Sequence, residues 1–172
     1  MASFWYGYGL KCALGADWGG TDLDEFHFKD DAAYPIKIGL YTDASDGGLY
    51  VPSVNDTYAY IAGVTDFTTN ELTCGGYTKG YGGAGRKVLA SANQLFTYAT
   101  STVTFDYTTT VTWATLATGT TIGGAVIMHE KLSVTDAAVV LVVHCAFTAV
   151  PTNGGNFTID FDALGVGYIT IT

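Results

Sequence analysis

The sequence predicts a mainly β protein, a single compact antiparallel β-sandwich or barrel (jelly-roll-like or immunoglobulin-like) with an N-terminal arm. Three observations predict it. In Thr102–Trp113 (TVTFDYTTTVTW), Val103, Phe105, Tyr107, Val111 and Trp113 hold odd positions, and Thr102, Thr104, Asp106, Thr108, Thr110 and Thr112 hold even ones. A period of two sends these sets to opposite faces of a strand, one aromatic and apolar, the other hydroxylic. Glycine is abundant at 22 residues and proline scarce at 3, and the many β-branched residues suit a pleated, half-buried surface. Finally, short apolar runs recur between Gly, Asn and Asp turns, the spacing of a sandwich or barrel.

The 172 residues fit one domain with room for a real core. We divide them into residues 1–35, an aromatic arm followed by an acidic loop, and residues 36–172, the β-sandwich domain. Phe4, Trp5, Tyr6 and Tyr8 stand close together in the arm. They read equally as a first strand on their own domain or as a contact for a partner, because Trp and Tyr are enriched at interface hot spots. The acidic stretch Asp22–Asp31 surrounds His27 but lacks the alternate oxygen ligands, central Gly and closing Glu of a calcium loop. It reads as a solvated loop.

Ile36–Tyr41 alternates as a strand, and Asp43–Gly48 (DASDGG) supplies Asx and Gly turn chemistry. Tyr58–Phe67 is ambiguous, compatible with a short helical turn ending before Thr68. Gly80, Gly82 and Gly85 satisfy G-x-G-x-x-G, with Asp106 downstream at the distance of a ribose ligand. That motif has meaning only between a buried strand and a helix. Here polar residues precede it and the Thr ladder follows, while Arg86 stands where a phosphate loop needs Lys. The segment reads as a flexible or positive-φ loop rich in Gly and Tyr.

Thr109 breaks the apolar face of the Thr ladder, so the ladder is one long strand or a tight pair of strands. Leu116–Gly124 reads as turn, Ala125–Met128 as a short strand, and Ala138–Phe147 as a central strand buried on both faces. His144 and Cys145 are adjacent, face opposite ways and cannot readily share an ion; both read as core. Val150–Gly155 is a turn. Phe157–Phe161 and Tyr168–Thr172 complete the sheet, on either side of a bend at Ala163–Gly167.

Charge and motifs narrow the function. A net charge of −9 rests on seven basic residues, with Arg86 the one arginine. No basic stripe exists to displace counterions from phosphates, so nucleic acid is an unsuitable partner. The longest apolar run, Ala137–Val143, is too short to cross a membrane as a helix, and the N-terminus lacks a signal-peptide pattern. A protein made in a reducing cytoplasm is expected, with Cys12, Cys74 and Cys145 as free thiols. The sequons at Asn55 and Asn156 carry little weight in that setting. His27, His129 and His144 lack a nucleophile elbow or cysteine signature, and no carboxylate pair stands out among sixteen acids. We expect no catalytic, cofactor or metal residues and no enzyme.

In order, IKIGLYT (Ile36–Thr42), Asn70-Glu71-Leu72, GGYTKGYGG (Gly75–Gly83), Val103–Asp106 with Trp113, AVIMHE (Ala125–Glu130), GGNFTIDF (Gly154–Phe161) and GVGYITIT (Gly165–Thr172) resemble a family of structural proteins of tailed bacteriophages. The likeness runs from Ile36 to the end; the arm departs from it. It implies a virion protein, most like a capsid decoration (cement) protein on the capsid exterior, assembled in the host cytoplasm. It implies the major capsid protein and further copies of itself as partners, in a homo-oligomer such as a trimer, and no catalytic residues. Phe4, Trp5, Tyr6 and Tyr8 are the candidate partner contacts. The alternatives are a tail or head-fibre component and a carbohydrate-binding β-sandwich with Trp18 or Trp113 as sugar platform.

Overall fold

The Thr ladder folds as its alternation dictates. Phe105, Tyr107, Val111 and Trp113 are buried, and Thr108, Thr109, Thr110 and Thr112 are exposed. The break at Thr109 separates two strands, but they form no hairpin with each other. Each leaves the break to join a different sheet.

The computed structural model describes residues 4–5, 35–43, 65–99, 102–130, 135–136, 139–161 and 167–170. The strands are β1 (Phe4–Trp5), β2 (Ile36–Thr42), β3 (Lys87–Val88), β4 (Gln94–Ala99), β5 (Thr102–Tyr107), β6 (Val111–Trp113), β7 (Thr121–Glu130), β8 (Val139–Pro151), β9 (Phe157–Ile159) and β10 (Gly167–Thr170). One short helix, α1 (Thr65–Asn70), precedes β3. The helix runs through Thr68, Thr69 and Asn70, beyond the end expected at Phe67. Cys12, Trp18, His27 and the rest of the acidic loop, residues 44–64 and residues 162–166 lie outside the described residues.

Among the described residues every strand pair is antiparallel. Five strands form one sheet in the order β1-β8-β7-β2-β3; β10-β5-β4 and β6-β9 form two smaller sheets. β7 occupies the middle of the large sheet, and β8 is interior beside it. β7 from Gly124 to Glu130 and β8 from Val139 to His144 are buried on both faces, which the near-continuous apolar run of β8 predicts. β7 begins at Thr121, four residues before the apolar segment that marks it in the sequence. Gly123 and Gly124 belong to the strand rather than to a turn, because the Tyr41 ring lies where a Cβ on Gly124 would stand.

The two faces of the large sheet serve two cores. On one face Ile36, Ile38, Leu40, Ala125, Ile127 and Val143 pack with Phe105, Tyr107, Val111 and Trp113 of the smaller sheets. This shared core makes the sheets successive layers of one domain. On the other face Tyr41, Val126, Met128, Val139 and Leu141 pack with Phe67 of α1. Register shifts in β7–β8 between Ile122 and Gly124 and between Ile127 and Met128 bend the strands locally, as bulges do. The second brings both Val142 and Val143 into the first core.

Candidate functional site

A charged centre sits against the second face. Arg86, from the end of the Gly-Tyr loop, is 4 % exposed. Its Nε and Nη2 each donate to Glu71, at 2.8 Å to Oε1 and 2.8 Å to Oε2. Its Nη1 donates to Asp136 Oδ1 at 2.7 Å and lies 3.4 Å from Glu130 Oε1. Lys37 of β2 makes an ion pair with the other oxygen of Glu130. Burial opposes the charge of Arg86, but the hydrogen bonds and charges of Glu71 and Asp136 outweigh it and raise its pKa above the ordinary value. A planar fork on a carboxylate is the geometry in which buried arginine is best satisfied.

Glu71 distributes this order to the loop. Its Oε1 also accepts from the Tyr77 hydroxyl at 3.1 Å, and its Oε2 accepts from the Gly80 amide at 3.0 Å. Tyr77 in turn accepts a bond from Leu40 N at 3.0 Å, and Leu72 N donates to Leu40 O at 2.9 Å. The edge of β2 beyond the two-residue β3 is thereby capped by the loop. Burial first, then the negative charge of Glu71, hold the Tyr77 phenol well above its ordinary pKa. Gly80 and Gly82 have φ of 84° and 71°, the left-handed region glycine enters without a Cβ penalty. The expected positive-φ positions are present, in a loop fixed by side chains rather than free. It leads into β3 and not into a helix, so the dinucleotide motif lacks its required context.

The sequence-predicted contacts distribute unevenly. Phe4 and Trp5 form β1, the outer strand beside β8, with Phe4 opposite His144 and Trp5 opposite Val143. Tyr6 and Tyr8 lie outside the described residues. Trp113 is fully buried, tilted against Phe157 with ring centroids 5.9 Å apart, and its Nε1 donates to Gly85 O at 2.5 Å. It offers no face to a sugar. Asp106, the would-be ribose ligand, accepts instead from the following amide of Tyr107 at 2.7 Å. A depression of about 50 Å³ lined by Leu116, Ile122, Val150, Pro151 and Phe157 is far below the roughly 300–1,000 Å³ of small-molecule sites. Among the described residues no group of three or more His, Cys, Asp and Glu is arranged for a metal ion.

His144 and Cys145 point to opposite sides of β8, as adjacent strand residues must. His144 Nε2 lies 2.8 Å from the Tyr41 hydroxyl, whereas Cys145 packs against the first core. Burial, with the nearby Cys145 and Asp43 adding to it, pushes the Tyr41 phenol up to about 12 from 10.0. The neutral phenol therefore contributes stability that is fully present below pH 10 and is lost as pH rises through 12. We expect one phenol to titrate near pH 12 in ultraviolet phenolate absorbance, with the unfolding midpoint falling across the same interval. Loss of the titration near pH 12 in Tyr41→Phe, with Tyr77 unaffected, checks the assignment.

Sequence reasoning missed the charged centre. Its signals were a lone arginine and a glutamate ending an otherwise apolar strand, AVIMHE. Nothing local connected them to Glu71 and Asp136. No protein-family model, no curated protein and no solved structure matches this chain.

Proposed function

We propose that this chain is a structural protein of a tailed-bacteriophage virion, a capsid decoration (cement) protein that binds the outer surface of the head across subunit seams. The observation that carries the reading is how the resembling segments meet. Ile36–Thr42 pairs with the strand containing Ala125–Glu130, and Asn70-Glu71-Leu72 and the Gly-Tyr loop close on both through Arg86. The Val103–Asp106 strand pairs with the final strand, and the Trp113 strand with Phe157–Ile159. Segments weak one by one are therefore mutual partners in one scaffold. Their mutual pairing suits a protein whose work is binding multiplied over a symmetric lattice. A rigid domain loses little ordering entropy on docking. The charge of −9 suits the exterior of a head better than its DNA-filled interior.

The partners in this reading are the major capsid protein and further copies of the chain. The copy number in purified particles, relative to the major capsid protein, tests it. A ratio near one, or a simple fraction of one, is expected. A handful of copies would transfer the chain to a tail or head fibre, and its absence from particles would overturn the virion reading. The sugar-binding alternative has lost Trp113 as a platform.

A further inference from the structure

We propose that β1 is an exchangeable strand: in the homo-oligomer, Phe4–Trp5 of one copy pairs with β8 of a second copy and completes its sheet. Four features carry this. β1 is two residues long, and among the described residues its strand pairing is with β8. Thirty residues, 6–35, separate it from β2, a length that spans up to about 100 Å when extended. Among the described residues no other strand lies along the outer edge of β8. That edge continues past His144 to Pro151, and Thr148, Ala149, Val150 and Pro151 are exposed.

An unpaired strand edge is a template for another chain, and backbone pairing is indifferent to which copy supplies the strand. The register Phe4↔His144 and Trp5↔Val143 identifies a segment that fits the edge, and every copy carries it. Exchange conserves that pairing and changes only the connection, which is the condition for low-cost strand swapping. Long connections disfavour closure within one chain only weakly, so local concentration decides the balance. Raising the concentration of copies shifts it toward exchange. Phe4 and Trp5 then act as the link between subunits and not as an arm lying on the capsid.

This inference rests on the homo-oligomer within the proposed function and on nothing else in it. Its test uses purified protein without capsids, so its failure is read separately from a failed copy-number measurement. Full-length Trp5→Cys and Val143→Cys chains, distinguished by mass, are co-expressed and oxidised. A disulfide joining position 5 of one chain to position 143 of the other is expected, and each variant alone should not form it. Closure only within a chain carrying both substitutions, with the co-expressed pair unlinked, overturns exchange. Should the cysteines disturb folding, sedimentation of the wild-type chain and of Trp5→Pro decides. Proline fixes φ, carries no backbone donor and is disfavoured within a paired strand, so the wild-type oligomer should fall to monomer with unchanged far-ultraviolet circular dichroism. A wild-type monomer at all concentrations, or an oligomer that survives Trp5→Pro, refutes the proposal.

Discussion

Replacing Arg86 by Met is expected to lower the unfolding free energy by about 3–5 kcal/mol, the range for removing one partner of a buried ionic group. The side chain is nearly isosteric along its stem, so lost packing is a small part of this. The larger part is what stays behind. Glu71 and Glu130 are 1 % and 0 % exposed, and both face the vacated guanidinium site with Asp136. Domains of ordinary stability hold about 5–15 kcal/mol, so the loss is a large share of the whole. Arg86→Lys should recover part of it, because an ammonium restores the charge but not the two-pronged contact with Glu71. Urea titration followed by circular dichroism gives both values. A loss for Arg86→Met under 1 kcal/mol would show that the charged centre contributes little to holding the fold.

Trp113→Ala is expected to cost a similar amount, about 3–5 kcal/mol, for a different reason. Trp113 is fully buried where the first core meets Phe157 and the Gly-Tyr loop. Truncation opens a large void and leaves Gly85 O without its indole donor. Trp113→Phe fills most of the void and still lacks the donor, so it should lose less. The urea midpoint should fall while the m-value holds, marking lost stability and not a changed unfolded state.

The Thr ladder shows what the residue pattern could reveal. Parity alone assigned Phe105, Tyr107, Val111 and Trp113 inward and Thr108, Thr110 and Thr112 outward, because strand geometry is local and strict. Thr109 marked the break. What parity could not reveal was that the strands on either side join different sheets, since pairing depends on residues 157–170 far along the chain. Glycine misled in the same way. Gly123–Gly124 resembles a turn until the Tyr41 ring is seen lying on it. The charged centre was least legible of all, for Lys37, Glu71, Arg86, Glu130 and Asp136 come from five separate places. Periodicity records which face a residue occupies but not which distant residue will meet it there. The expected β architecture was readable from local pattern; the centre that stiffens it was a product of tertiary structure.

The pairing of β2 with β7 has a consequence during synthesis. Ile36 lies opposite His129, about ninety positions later, so β2 leaves the ribosome long before its partner exists. At roughly 5–20 residues per second, Ile36, Ile38 and Leu40 wait about 5–20 seconds with their apolar face unshielded. Pairings this distant also fold slowly once the chain is complete. Newly made copies thus pass through an interval of vulnerability to clumping. High-level expression should fill inclusion bodies at fast translation and yield more native protein when elongation is slowed by cooling.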